Sequence, residues 1–346
     1  MRILIIGGTS FIGPHVVQLL YSMGHQVAVF HRGRTSIHFP NSIHLIIGDR
    51  NNLNHYSEEF VRFSPDVVLD MIPSTEEQAK SLVHTFTGIT QRIVAISSQD
   101  VYRAYGLVRG IETGGLEAIP ITENSRLRQR LYPYRDTAKD NDDWSNKYDK
   151  MLVERTILGA SSLAGTILRL SAVYGPRDNQ HRFFSYLNLK RMIDKRPFIL
   201  MEESFADWRW THAYVENVAL AVVLAVLNDR SAGRIYNVGE LSTPSMIEFV
   251  KEIADRLGWN GDIVLLPKEK LSEQLLFPLD TAQQLVVDSN LIREELGYRE
   301  KISWGEGINR TIEWELENLP AKADPKYHLH FDYEKEDQLL KEMGFI

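Results

Sequence analysis

Apolar residues in the first half of the chain fall into short unbroken runs separated by stretches with helical spacing. The runs cover residues 3–6, 27–30, 43–47, 67–70 and 93–97, and the first helical stretch covers 14–23. They lack an apolar/polar alternation, which is the pattern of strands buried on both faces of a parallel sheet. Strands alternating with helices imply crossover connections, so the predicted fold class is α/β, a doubly wound parallel sheet. Residues 103–143 break the pattern: they are rich in Gly, Pro, Asn, Arg and Asp with no sustained period, and read as a long insertion or mobile loop. Helical spacing returns over 144–158. There Trp144, Tyr148, Met151 and Leu152 form an i, i+4, i+7, i+8 stripe, which predicts a continuous helix with Tyr148 turned into the core.

A further buried strand at 165–170 continues the sheet. After residue 174 come short aromatic and basic segments, a helix at 215–227, a strand at 235–238, a helix at 245–257 and a charged amphipathic helix at 333–343. The expected organisation is a nucleotide-binding domain over 1–174, to which 213–240 return. A smaller C-terminal substrate lobe is built from 175–212 and 241–330, and a tail spans 331–346. Ligands of open α/β sheets bind at the C-terminal edge of the strands, which puts the cleft between that edge and the lobe.

Composition narrows the chemistry. With 39 Lys plus Arg against 46 Asp plus Glu, the formal charge is −7, and no long basic run exists; this argues against a nucleic-acid or anionic-membrane partner. The absence of Cys excludes disulfides, cysteine nucleophiles and thiolate metal sites, and fits a reducing compartment. The start, MRILIIGG, has too few apolar residues before glycine for a signal-peptide core, so a cytoplasmic location is expected. The longest apolar run, 218–227, is about half of what a bilayer span needs.

Between the first strand and the first helix stands GGTSFIG: Gly7, Gly8, Thr9, Ser10, Phe11, Ile12 and Gly13. A tight turn here presents backbone N–H groups and a helix N-terminus to a pyrophosphate, and its glycines permit close approach.

Together with GDR at 48–50, AISSQDVY at 95–102, Lys150 with Glu154, LRLSAVYGPRD at 168–178, the RWTHAYVENVA stretch from Arg209 and YNVG at 236–239, this turn resembles the extended short-chain dehydrogenases/reductases, the nucleotide-sugar epimerase and dehydratase group. The resemblance spans almost the whole chain and implies a Rossmann-type fold, an NAD(P) cofactor, a small-molecule substrate, most simply a nucleotide sugar, and a homodimer whose face includes the helix at 151–158. Ser10 stands where the family carries its middle glycine, a departure shared with a branch that includes a chloroplast stem-loop RNA-binding protein.

An NAD-type fold commonly has an acidic residue about 20 positions after the turn, on the adenosine ribose. His31 holds that position here, followed by Arg32 and Arg34, which favours NADP over NAD. The resemblance further implies cofactor contacts from Asp49 and Arg50 near the adenine. Asp70, Met71 and Ile72 would lie along the cofactor path, where the family usually has Asn-x-Ala-Ala.

Enzymes of this group take a substrate proton with a tyrosine, tune it with a lysine four residues on, and polarise the same oxygen with a serine. A free phenol, with a pKa of about 10, is otherwise a poor base at neutral pH. Ser98 matches the serine and Lys150 the lysine, which also binds the nicotinamide ribose. The tyrosine position holds Asn146. Tyr148 lies about 200° from Lys150 around an ideal helix, so the two share a face only if the helix is bulged or begins late. Three readings follow: Tyr148, Tyr132 or Tyr134 supplies the phenol; Asp142, Asp143 or Asp149 replaces it, poorly, as exposed carboxylates; or hydride chemistry is lost and the chain is a nucleotide-dependent RNA-binding or sensor protein. The retained Ser98, Lys150 and YGP stretch favour the enzyme.

On the substrate side, the resemblance puts a diphosphate-binding arginine at Arg209, with Arg177 and Arg182 in support, since guanidinium suits paired oxygen contacts. Trp208, Trp210, Phe183 and Phe184 read as lobe core. His328 and His330 with Asp332 lack a partner cluster, so no metal is expected. There is no Gly-x-Ser-x-Gly elbow and no Walker lysine loop.

Overall fold

The computed structural model describes residues 1–183, 185, 187–322 and 331–346. Among these, eleven strands are β1 (Arg2–Ile6), β2 (Gln26–His31), β3 (His44–Ile47), β4 (Val67–Asp70), β5 (Arg92–Ser98), β6 (Ala164–Leu170), β7 (Ala172–Tyr174), β8 (Phe198–Glu202), β9 (His212–Tyr214), β10 (Ile235–Val238) and β11 (Asp262–Leu266). The main sheet has the order β10-β6-β5-β4-β1-β2-β3 with every pair parallel. Strand order reverses between β1 and β4, the place where an open α/β sheet forms its ligand crevice. Ile3–Ile6 and Val67–Leu69 are fully buried, as their unbroken apolar runs imply, whereas the edge strand β3 leaves Leu45 and Ile47 exposed. The expected α/β, Rossmann-type fold is present.

The first helix, Ile12–Ser22, starts two residues before the predicted boundary. Pro14 is accommodated because the first turn needs no N–H donor from it. After β6 the chain builds two small parallel sheets, β7 with β9 and β8 with β11. Trp208 and Phe183 are buried there, and one continuous apolar cluster joins them to β1, β5 and the helix Val215–Leu227. Phe184, His328 and His330 lie outside the described residues.

The last helix, Tyr333–Glu342, docks against this region: the Arg191 guanidinium reaches Glu336 at 2.6 Å with both groups buried, and Leu340 closes a small core with β8 and β11.

Two expectations about the middle of the chain fail. The stretch 144–158 is not one helix: a 3₁₀ turn at Trp144–Asn146 gives way to extended backbone at Asp149, and the α-helix runs over Lys150–Leu158. Trp144 is 63% exposed, so the apolar stripe that suggested a continuous helix does not form a core face. Nor is 103–143 a free loop. It contains the helix Arg103–Val108, and Arg128, wholly buried, ties it down: Nε donates to the Asp100 carbonyl, and Nη2 lies 3.4 Å from Asp149.

Beneath the sheet's C-terminal edge, Arg169 on β6 forms a paired contact with Glu154 (2.7 and 3.0 Å) and donates to the Tyr102 hydroxyl at 3.0 Å; Ser97 Oγ donates to Glu154 at 2.5 Å. Breaking a buried ion pair leaves one charge unsolvated, at a cost of about 3–5 kcal/mol. Arg169→Leu is expected to lower the unfolding free energy by an amount in that range, read by urea denaturation, and a loss below about 1 kcal/mol would contradict the assignment.

Candidate active site

The turn after β1 owes its shape to glycine at defined points. Gly7 has φ +95°, and a Cβ there would sit 3.3 Å from Met71 Cβ; a Cβ on Gly13 would fall 2.4 Å from Gly8 Cα. The helix therefore packs on the strand end with no room for a side chain at Gly13. Ser10 does not adopt a positive φ, whereas Phe11, the next residue, does, at φ +47°. The turn opens on a cleft of about 540 Å³ at the order reversal, whose wall runs from Gly7, Gly8, Thr9, Ser10, Phe11 and Ile12 across His31, Arg32 and Arg34 to Asp49, Arg50 and Met71. Exposed backbone N–H groups at a helix start, with cations at the far end, suit a dinucleotide pyrophosphate and a ribose.

Individual positions differ from a simple contact set. Asp70 is fully buried and forms an ion pair with Arg50, while its other oxygen accepts from Ile72 N at 3.0 Å. These two residues brace the ends of the strands; Asp49 caps the following 3₁₀ turn through Asn51 N at 2.9 Å. His31 Nδ1 accepts from Gly33 N at 3.2 Å, which assigns the ring proton of the neutral form to Nε2, and burial lowers the His31 pKa.

The late helix start rearranges the catalytic region. Tyr148 precedes the extended residue Asp149 and is freed from the helical period. Its hydroxyl donates to Asp100 Oδ2 at 2.7 Å, and Lys150 Nζ stands 5.9 Å from its ring centroid. The phenol touches Trp144, ring to ring at 5.3 Å, and its hydroxyl is buried at the end of β5 against Asp100. Lys150 is buried and donates to the carbonyls of Pro73 (2.5 Å) and Ile96 (2.9 Å). Burial lowers its ammonium pKa to about 8, opposed by Asp100 and Asp70. Ser98 accepts from Asp100 N at 3.2 Å, capping the turn that presents this carboxylate. Asn146 sits apart, its amide donating to the Asp140 carbonyl at 2.6 Å.

Of the alternative carboxylates, Asp149 is fully buried, contrary to expectation: it caps the helix through Met151 N (2.9 Å) and accepts from Tyr132 N (2.7 Å). Asp143 caps the 3₁₀ turn, and Asp142 is exposed. Tyr134 shares the Asp100 oxygen at 3.3 Å and reaches Tyr105 at 3.1 Å; Tyr132 lies under Arg135. Sequence reasoning missed Asp100 and Arg128. A carboxylate directly after a buried strand, at the sheet edge where ligands bind, was the signal available for Asp100.

Arg182 is committed to the Val173 carbonyl (2.9 Å) and Asp178 (2.8 Å), while Arg177 and Arg209 are exposed. Asn179 reaches Ser10 Oγ at 3.5 Å, so the segment after β7 borders the turn. Asp332 caps the last helix through Lys335 N. No helix among the described residues is long and apolar enough to cross a membrane.

Residues 3–239 match the family described as the NAD dependent epimerase/dehydratase family. A UDP-N-acetyl-alpha-D-glucosaminuronate decarboxylase of Bacillus cytotoxicus is 23% identical, over 92% of this chain and 99% of that one. Among solved structures, a dTDP-glucose 4,6-dehydratase of Bacillus anthracis in complex with NAD has a TM-score of 0.68 at 16% identity, covering 92% of this chain and 97% of that chain. A UDP-glucose 4-epimerase of Thermotoga maritima with UDP-glucose gives 0.67 at 18% identity, with 92% and 100% covered. The solved structures share this fold, and the family match over two thirds of the chain places it among the extended short-chain dehydrogenases/reductases. The chain belongs to the NAD-dependent epimerase/dehydratase family of enzymes.

Gly13→Ala is expected to push the helix off Gly8 and weaken dinucleotide affinity on the order of tenfold or more, about 1.4 kcal/mol, by calorimetric titration with far-ultraviolet dichroism unchanged. Unaltered affinity would remove the turn from the binding site.

Proposed function

We propose that this enzyme removes the O–H proton and the C–H hydride of a secondary alcohol on a nucleotide sugar, using Tyr148 as the phenol that meets the substrate oxygen. The observation that carries this reading is the helix start at Lys150, which brings the Tyr148 hydroxyl to Asp100 at the end of β5, two residues after Ser98, with Lys150 Nζ 5.9 Å from the phenol ring centroid. When bound, the nicotinamide accepts the hydride and can return it. Gly7, Gly8, Thr9, Ser10, Phe11 and Ile12 would hold its pyrophosphate and Met71 its path toward Lys150, with Gly13 fixing the helix behind them. Lys150 orients the ribose and sets the potential around the phenol, and Ser98, whose own O–H remains free to donate, hydrogen-bonds the reacting oxygen. Arg177 and Arg209, both exposed, are the candidates for the sugar-nucleotide diphosphate. Relatives named for UDP- and dTDP-sugars support the substrate class.

His31, Arg32 and Arg34 supply no carboxylate at the ribose end of the cleft, and two guanidiniums line it. On this basis NADP is the preferred cofactor, because a 2′-phosphate gains charge-assisted hydrogen bonds there. Replacing both Arg32 and Arg34 with Ser should weaken NADPH binding on the order of tenfold while changing NADH binding little, by nicotinamide fluorescence. Equal losses for both cofactors would refute the preference.

Tyr148→Phe should lower turnover of a sugar nucleotide by about 100-fold or more at unchanged cofactor affinity. An active Tyr148→Phe enzyme would overturn the proposed phenol. The Lys150 charge is present below its folded pKa of about 8 and is lost as pH rises through it. Cofactor affinity should accordingly fall above about pH 8 in the wild type, and Lys150→Arg should remove that limb from a pH series of binding titrations.

A further inference from the structure

Oxidation of an alcohol gives the protein a proton to store, and the surroundings of Tyr148 restrict where it can go. The phenol is itself a hydrogen-bond donor, to Asp100 Oδ2 at 2.7 Å, and Tyr134 approaches the same oxygen at 3.3 Å. Burial and the adjacent carboxylate hold both phenols well above the ordinary tyrosine value, so a resting tyrosinate has no support here. Asp100 is 2% exposed, and its second oxygen, Oδ1, is buried without a hydrogen-bond partner. An ionised carboxylate with one oxygen neither solvated nor bonded gains free energy on taking up a proton.

We propose that Asp100 is the proton acceptor of the reaction, with Tyr148 as the relay between it and the substrate. This rests on the reading of Tyr148 given above. The substrate O–H bond breaks and a new O–H bond forms on the Tyr148 oxygen, while the proton that Tyr148 held moves to Asp100 Oδ2. With an oxidised nicotinamide bound to accept the C–H electron pair, the substrate oxygen would become a carbonyl, leaving Tyr148 as a neutral phenol and Asp100 as a neutral acid. Reduction reverses each transfer. No tyrosinate persists in either resting state.

The groups facing Asp100 are consistent with this role. Tyr105 comes from the helix Arg103–Val108; Arg128 and Tyr134 come from the long segment that follows; Tyr148, Asp149 and Lys150 come from the approach to the next helix. Burial raises the Asp100 pKa, with Asp149 adding to the rise, while Arg128, Tyr148 and Lys150 oppose it and keep an ionised form accessible. Arg128 Nε binds the Asp100 carbonyl and fixes the backbone that presents the carboxylate.

A pH titration of the free enzyme by difference infrared spectroscopy tests the acceptor without a substrate. Burial also raises Glu240 and Glu315, to about 7 and about 8, so the Asp100 band is identified as the one lost in Asp100→Asn. Its midpoint is expected above the usual carboxylate value of about 4, and Tyr148→Phe should move it higher by removing a donor to the charged form. A midpoint at the ordinary value, or an unmoved band in Tyr148→Phe, would overturn the proposal. With NADP and UDP-glucose as the probe pair, reduced-nicotinamide absorbance gives a second readout. Asp100→Asn should lower the rate about 100-fold and abolish the acid limb of the pH profile, and Asp100→Glu should restore a shifted limb. If Tyr148→Phe is inactive while Asp100→Asn keeps the wild-type pH profile, Asp100 is not the acceptor and the Tyr148 reading stands. If Tyr148→Phe turns over normally, that reading itself falls.

Discussion

A buried carboxylate that must be satisfied on every side organises the centre of this enzyme. Asp149 is fully buried, and its oxygens accept from Met151 N, Tyr132 N and Arg128, while its own N–H donates to the Ser74 carbonyl at 3.0 Å. Those bonds stop the helix at Lys150, because the residue that caps it adopts extended backbone. They also pull the 103–143 segment down onto the sheet edge and link both to the wall of the nucleotide cleft. With that group left unsatisfied, the positions of Tyr148, Lys150 and Tyr134 would have nothing in common to fix them.

The phenol is placed by a loop and not by a helical period. In a continuous helix, a lysine and a tyrosine four residues apart meet because they share a face. Here the spacing is two, and the meeting is produced by an extended residue between them. A phenol donating to a buried carboxylate differs electrostatically from a phenol tuned by an ammonium alone. In this arrangement Lys150 is held by two backbone carbonyls with its Nζ 5.9 Å from the tyrosine ring centroid, and Asp100 accepts from the hydroxyl.

The sheet was readable from the chain because every central strand is an apolar run bounded by turn residues, and burial on both faces leaves no competing period. The glycine turn was equally plain, since Gly7 has a positive φ and Gly13 occupies a position where a Cβ would collide. The helix start was not, because the spacing of Trp144, Tyr148, Met151 and Leu152 is helical while the physical boundary depends on what Asp149 can bond across the fold. Its partner Arg128 is separated from it by 21 residues of irregular chain. Asp100 was overlooked for a related reason: it reads as a turn residue after β5 until Tyr148 and Tyr134 are brought to it from 48 and 34 residues away. Similarly, Arg50 and Asp70 read as separate ligand contacts, and only the folded sheet shows them paired with one another.

The docking of the last helix bears on the order in which the molecule is made. Strands β1 to β5 lie within the first 98 residues, and their pairings can form while the chain is still being synthesised. Arg191 is different: its carboxylate partner, Glu336, is 145 residues further along. During translation at roughly 5–20 residues per second, that guanidinium waits on the order of ten seconds or more before its counter-charge exists, so it must stay hydrated until then. Strands β1 to β5 can thus assemble on the ribosome, whereas the core built from β8, β11 and Leu340 closes only after Glu336 has been released from the exit tunnel.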